Sequence, residues 1–221
     1  MRMVSWLPAL LRGARITILL TVCSMTAGLV ISFFIALGKM SKNIILNKLC
    51  TVYTFFFRGT PLLMQLYFIY YALPMISPVF IISTGNAGAD RFIYAFIAYS
   101  LNMAAYLAEI IRAAIQSIDK GQFEASRALG LSYGQTMRLV IVPQSIRRLI
   151  PPVSNEFILM LKDVSLVSMI ALVDITRATR TIESSTRSPL VYIPAMILYL
   201  IITAIFTYIF RRLEKKYSVY E

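Results

Sequence analysis

The chain has 221 residues, of which 58% are hydrophobic and only 14% charged, and its net charge is +12. Because soluble domains carry about 25% charged residues, we predict an all-α protein that lies in a lipid bilayer. The lack of histidine excludes Ser-His-Asp hydrolases and His-ligated metal sites, and two cysteines, Cys23 and Cys50, are too few for a disulfide scaffold or a metal cluster. In a membrane chain the excess of Lys and Arg first indicates topology rather than nucleic-acid binding.

Apolar stretches divide the chain into five predicted transmembrane helices, since about 20 apolar residues cross a bilayer. They cover residues 16–37, 60–82, 92–118, 153–173 and 190–210 of a single domain, 1–221. The first carries Ser24, Gly28, Ser32 and Ala36 at every fourth position, which predicts a face of small side chains in close contact with another helix. Prolines in the second, including Pro74, predict a bend near its outer end.

The basic residues between these stretches predict the orientation, because the side richer in Lys and Arg is cytoplasmic. One side carries seven of them: Arg2, Arg12, Arg15, Arg91, Arg177, Arg180 and Arg187. The other side carries twelve: Lys39, Lys42, Lys48, Lys120, Arg127, Arg138, Arg147, Arg148, Arg211, Arg212, Lys215 and Lys216. We therefore predict that the N-terminus lies outside, and that the C-terminus and the loop 119–149 lie in the cytoplasm.

The loop 119–149 carries signals for a helix-turn-helix. Residues 124–129 are good helix formers, and Gly130 suits the left-handed conformation just beyond a helix end. Ser132 and Gln135 then have the spacing of a capping box that begins a second helix. By local physics alone, an ordinary interfacial connection explains this segment equally well.

The same loop carries a longer pattern, formed by Glu124-Ala125-Ser126, Gly130 and Val140-Ile141-Val142-Pro143. It resembles the EAA loop of binding-protein-dependent ABC importer permeases, in which Glu-Ala-Ala precedes Gly and then Ile-x-Leu-Pro at the same spacing. Three further blocks, at 58–66, 105–112 and 161–166, resemble the polar-amino-acid branch of that family. The resemblance extends over residues 7–212.

This resemblance implies the membrane subunit of a type I ABC importer that moves a polar amino acid into the cytoplasm by alternating access. It implies a multi-pass protein of the bacterial plasma (inner) membrane, and a permease rather than an enzyme. The implied partners are two cytoplasmic ABC ATPase subunits, a second permease copy or a paralogue, and an extracytoplasmic solute-binding protein, with no nucleic acid.

ATP and Mg are expected on the ATPase, with no cofactor in this chain. The sole Gly-Lys pair, Gly38-Lys39, precedes Met40 rather than Ser or Thr, so it lacks the phosphate-binding pattern. By resemblance, the first of the two loop helices couples to the ATPase. The residues assigned to that coupling are Glu124, Ala125, Ser126 and Gly130.

The polar residues of spans two to four are expected to line the substrate path, and we predict no metal site among them. The candidates are Met64, Gln65, Asn102, Tyr106, Glu109, Glu156 and Asp163. Three of these share one face of span three, at positions i, i+4 and i+7, and the two acids of span four share a face as well. We interpret Arg58, Arg112 and Lys162 as structural or gating charges.

Several assignments have a plain competitor. Glu109 and Arg112, at i and i+3, can neutralise each other, and Asp163 beside Lys162 can be structural or gating rather than selective. Glu156 has no basic residue three or four positions away, which favours a cationic amino acid as substrate. The alternatives in function are a permease for another small solute and, more remotely, a membrane enzyme that uses Glu109, Glu156 and Asp163 as catalysts.

Overall fold

A computed structural model describes the backbone of residues 2–217 and the side-chain environments of residues 5–217; Met1 and residues 218–221 of the predicted domain lie outside the described residues. The described chain is 88% helical and contains no strand, which confirms the all-α prediction. Its main helices are α1 (Arg2–Lys39), α2 (Ile44–Gly59), α3 (Leu62–Ile76), α4 (Ala87–Gln116), α5 (Lys120–Ala128), α6 (133–163), α7 (Ile175–Thr186) and α8 (Tyr192–Tyr217).

Three of the described helices are long and apolar enough to cross a membrane. They are Ser5–Lys39, Ala87–Gln116 and Pro189–Tyr217, and they contain most or all of the predicted first, third and fifth spans. The predicted second and fourth spans coincide with less regular segments. The number of crossings and their orientation therefore stay predictions.

The predicted second span contains the interrupted helix α3. Its regular turns, Leu62–Tyr67 and Leu73–Ile76, are separated by a π-helical turn at Phe68–Ala72. Pro74 has no N–H group to donate, and its ring crowds the carbonyl four residues earlier. The preceding turn widens into a π-helical turn, which relieves this crowding. A short 3₁₀ turn follows at Pro78–Phe80, and the bend expected from the prolines is present.

Helix α2 precedes α3 and lies between the predicted first and second spans. The Asn43 side chain caps it by accepting hydrogen bonds from the N–H groups of Ile45 and Leu46, at 3.0 and 3.3 Å. Phe55, on the same helix, is 79% exposed within the single chain.

The predicted helix-turn-helix of the loop is present as α5 and the start of α6. Gly130 has φ +78° between them, and Ser132 and Gln135 form the reciprocal capping box. The second helix is far longer than expected, because it continues from Tyr133 through a π-helical turn at Met137–Ile141 to Asp163. A 3₁₀ segment, Val164–Ile170, then completes the region of the predicted fourth span.

Helix α4 occupies the centre of the molecule, and its most extensive neighbour is α1. The small-residue face of α1 meets it as predicted: Ser24, Ser32 and Ala36 are completely buried. A Cβ atom added to Gly28 would lie 2.9 Å from Met103 Cβ. Tyr99 of α4 also donates a hydrogen bond to the carbonyl of Asp163 at 2.7 Å, which joins α4 to the end of α6.

A second core lies where the first half of α1 meets α7 and α8, and includes Trp6, Leu10 and Ile175. The helices approach closely here, since a Cβ on Gly13 would lie 2.6 Å from the backbone oxygen of Asp174.

Candidate functional site

The bend between α2 and α3 places Arg58 and Pro61 beside α4 and α6. Thr60 is extended, with φ −117° and ψ 146°, as expected for a residue that precedes proline. Pro61 occupies the cap position of α3, where the missing N–H costs no helical hydrogen bond.

Two buried amides fix this bend. Gln65 Nε2 donates to the carbonyls of Phe57 and Thr60 at 2.9 and 3.0 Å. Asn102 Nδ2, from α4, donates to Gln65 Oε1 at 2.9 Å and to the Phe57 carbonyl at 3.1 Å. The carbonyls at the end of α2 therefore have partners, and the bend is attached to the central helix.

A cavity of about 470 Å³ opens between this bend, α4 and α6. Its lining residues are Arg58, Gly59, Thr60, Pro61, Leu62, Asn102, Met103, Tyr106, Glu156, Leu159 and Asp163. Four of the predicted path residues, on two helices, thus come together here with Arg58. Asn102 is shared between the cavity and the amide pair that holds the bend.

The cavity contains both signs of charge. The guanidinium carbon of Arg58 lies 5.4 Å from the centre of the Tyr106 ring, within cation–π range. Glu156 and Asp163, one on each of two turns of α6, supply two carboxylates. Glu156 therefore has a cation in its own cavity, contributed by another helix, although its sequence neighbours offer none. Two acids against one arginine give the ionisable lining a formal net charge of −1.

Met64 and Gln65 line a different surface. With the aromatic side chains of α2 they border an apolar groove of about 470 Å³ between α2, α3 and α4. Met64 is exposed, whereas the Gln65 side chain is engaged in the bend. Gln65 was expected to line the substrate path, but in this structure its amide group holds the bend between α2 and α3 in place.

Glu109 also lies away from the cavity. Its carboxylate forms ion pairs with Lys39 of α1 and, at 2.8 Å, with Arg112. Lys39 additionally donates to Thr54 Oγ1 of α2 at 2.8 Å, so one charged cluster joins α1, α2 and α4. The neutralisation of Glu109 by Arg112 is present as anticipated, and Lys39, placed by sequence in a connection, is its second partner. Because Glu109 is separate from Glu156 and Asp163, the three carboxylates form no common catalytic group.

The remaining predicted charge, Lys162, is exposed at the end of α6 next to Asp163. Within residues 2–217 no three His, Cys, Asp or Glu side chains group closely enough to hold a metal ion. Met103 and Leu159 line the cavity without any sequence signal, since their positions depend on how the helices pair.

The second candidate surface is the loop helix α5. The Asp119 carboxylate caps it by accepting from the Gly121 N–H at 2.6 Å, and Glu124 and Ala125 are exposed on it. Ser126 faces inward and donates to the Gln122 carbonyl at 2.7 Å. The first two residues of the Glu-Ala-Ser motif are thus exposed to a partner, whereas the third is buried within the loop.

The loop is also attached to both helices that flank it. Arg148 of α6 donates to the carbonyl of Ser117, at the end of α4. Gln144 of α6 donates to Gln122 of α5 at 3.2 Å. These bonds connect α6 to the end of α4 and to α5 at the loop.

A family model described as binding-protein-dependent transport system inner membrane component matches residues 28–219. The glutamine transport system permease protein GlnP of Escherichia coli K12 is 36% identical over 214 residues, which are 96% of this chain and 94% of GlnP. The L-cystine transport system permease protein TcyB of Bacillus subtilis is 38% identical over 98% of this chain and 89% of its own.

A solved structure agrees with the sequence relatives. The crystal structure of an amino acid ABC transporter with histidines contains a chain that is 37% identical, with a TM-score of 0.88 and 97% of each chain covered. The similarity therefore extends through α1, the cavity, the loop and α8.

Proposed function

This chain belongs to the family of binding-protein-dependent transport system inner membrane components, and we propose that it is the permease subunit of an ATP-driven importer of a polar amino acid. The observation that carries the proposal is the cavity of Arg58, Asn102, Glu156 and Asp163, in a chain whose relatives are named as amino-acid permeases. The chain is a multi-pass membrane protein and has no enzymatic activity of its own.

The cavity supplies what an amino-acid zwitterion needs. Glu156 and Asp163 accept hydrogen bonds from an ammonium group, and Arg58 can pair with a carboxylate through two parallel hydrogen bonds. Its volume of about 470 Å³ falls within the range of about 300–1,000 Å³ typical of small-molecule sites. In a low-dielectric surrounding, such charges bind their counterparts more strongly than in water.

The charge balance favours a basic amino acid. A neutral amino acid would leave the cavity with its net charge of −1, whereas a cationic side chain would cancel it, and an unbalanced charge inside a membrane is costly. The similar crystal structure of an amino acid ABC transporter with histidines supports this choice. Glutamine and cystine, in the names of the relatives, are the competing substrates.

We further propose that α5 docks on a cytoplasmic ABC ATPase through Glu124, with Gly130 providing the turn into α6. The permease acts with a second copy or a paralogue, two ATPase subunits that bind ATP and Mg, and an extracytoplasmic solute-binding protein. Five crossings with the N-terminus outside put α5 on the ATPase side. Alternating access then opens the cavity to each side in turn.

The test is reconstitution in liposomes with the cognate ATPase, followed by measurement of ATP hydrolysis with solute-binding proteins loaded with arginine, histidine, glutamine or cystine. We expect stimulation by a protein loaded with arginine or histidine, and uptake of the same amino acid. Stimulation by glutamine or cystine alone would contradict the basic substrate, and stimulation by none would contradict the amino-acid importer.

A further inference from the structure

A cleft of about 620 Å³ lies between the first half of α1 and α7, and it shares no lining residue with the substrate cavity. Its lining residues are Ala9, Arg12, Arg15, Ile16, Leu19, Val173, Ala178, Thr181 and Ile182. Two arginines thus stand at the edge of an otherwise mostly apolar cleft. Nothing in the transport function described above uses them.

Both arginines are available to a ligand. Arg12 and Arg15 are exposed and, at i and i+3, project from the same side of α1. Within the described residues neither forms an ion pair or a hydrogen bond. The buried acid of this region, Asp174, caps α7 instead: its two oxygens accept from the N–H groups of Thr176 and Arg177 at 3.0 and 2.8 Å.

The position of the cleft along α1 matches the headgroup and upper acyl-chain levels of a bilayer. The uncharged run 16–37 of α1 measures about 33 Å at 1.5 Å per residue, close to the roughly 30 Å hydrocarbon thickness of a bilayer. Arg12 and Arg15 lie immediately beyond one end of that run, at the level of lipid headgroups. Leu19 and Val22, exposed one and two turns deeper, lie at the level of the acyl chains.

We propose that this cleft binds one anionic phospholipid. The phosphate pairs with Arg12 and Arg15, and an acyl chain packs against Ile16, Leu19 and Val173. Guanidinium groups match phosphate oxygens through paired hydrogen bonds, and the apolar lining below them matches a hydrocarbon tail. A docking protein would satisfy the charge but leave this lining unused, so the lipid fits the cleft better.

The experiment compares lipid binding to the full-length permease, purified with its ATPase in detergent, by native mass spectrometry. The probes are phosphatidylglycerol and, as the zwitterionic reference, phosphatidylcholine. The test variant is Arg12→Gln/Arg15→Gln; by the positive-inside rule, removing basic residues from the predicted outer side leaves the topology favoured. The matched control, Arg180→Gln/Arg187→Gln, removes the same charge outside the cleft.

A second variant tests the apolar half of the site while keeping both arginines. Thr181→Phe places a ring at the exposed mouth of the cleft, where it fills space without entering the core. It is expected to weaken phosphatidylglycerol binding, although the charge is unchanged.

We expect the wild type to prefer phosphatidylglycerol, and the double arginine variant to bind it about thirtyfold more weakly, from about 1 kcal/mol per basic residue. The control should bind like the wild type. Equal binding of the two lipids by the wild type, or equal loss in test and control variants, would overturn the proposal. So would unchanged lipid binding together with lost stimulation by the solute-binding protein, which would identify a protein-docking surface.

Discussion

The Arg58 guanidinium carbon stands 5.4 Å from the centre of the Tyr106 ring, on a different helix. The aromatic face holds the cation at one wall of the cavity, and Glu156 and Asp163 belong to another wall, on α6. The arrangement separates a positively charged wall from a negatively charged wall within one cavity.

Loss of the Tyr106 ring should weaken transport, because Arg58 would no longer be held in its position over that ring. A cation–π contact contributes about 1 kcal/mol, so Tyr106→Leu is expected to raise the KM for uptake about fivefold, whereas Tyr106→Phe, which keeps the ring, should stay near the wild type. Uptake kinetics in proteoliposomes measure both. Equal KM values for the two variants would show that the ring does not position Arg58.

Removal of the Glu156 charge should act selectively. A hydrogen bond to a charged group contributes about 1.5–3 kcal/mol, so Glu156→Gln is expected to reduce uptake of a basic amino acid at least about tenfold and that of a neutral one much less. Competition uptake assays measure the ratio. The control is Glu183→Gln, whose carboxylate accepts from Tyr192 on α8, outside the cavity; equal loss for both substrates in Glu156→Gln would refute selectivity.

Reversal of the Glu124 charge on α5 should abolish the stimulation of ATP hydrolysis that accompanies transport. Glu124 is exposed and contributes to no core, so Glu124→Lys is expected to insert and fold normally while stimulated ATP hydrolysis falls to the basal rate. Liposomes containing the whole transporter provide the measurement. Glu214→Lys, on α8, changes charge equally outside the loop and should keep stimulation. Normal coupling in Glu124→Lys would contradict docking through this residue.

Gly13 should tolerate no side chain. A Cβ there would lie 2.6 Å from the Asp174 oxygen and 2.8 Å from the Ile175 nitrogen, and these are backbone atoms that cannot rotate away. Gly13→Ala is therefore expected to lower the free energy of unfolding by about 1–3 kcal/mol, measured by titration with dodecyl sulfate in mixed micelles. Gly134→Ala, where a Cβ meets nothing within 4 Å, should be neutral or stabilising.

Local signals in the sequence predicted local structure well. The capping box at Ser132, the left-handed Gly130 and the small-residue face around Gly28 each depend on a few neighbouring residues or on the period of one helix. They were confirmed because the forces that create them act within a turn or along one face.

The sequence did not allow us to predict which helices contact each other. Asn102, Tyr106 and Glu109 share one face of α4, yet α6 and the α2–α3 bend meet the first two, whereas Lys39 of α1 meets the third. Period alone gives the direction of a side chain and not its neighbour. For the same reason Arg58 could not be placed opposite Glu156, and Gln65 could not be assigned to the bend.

The path of the chain from α4 through α5 to α6 is one helical hairpin, with the loop at its closed end and the cavity farther along, between its two legs. A hydrogen bond from Arg148 to the carbonyl of Ser117 joins the two helices near the closed end. We therefore expect that a partner which moves the two helices apart or together at that end changes the width of the cavity directly, because the same two helices border both, and no chain of intermediate side-chain contacts is needed.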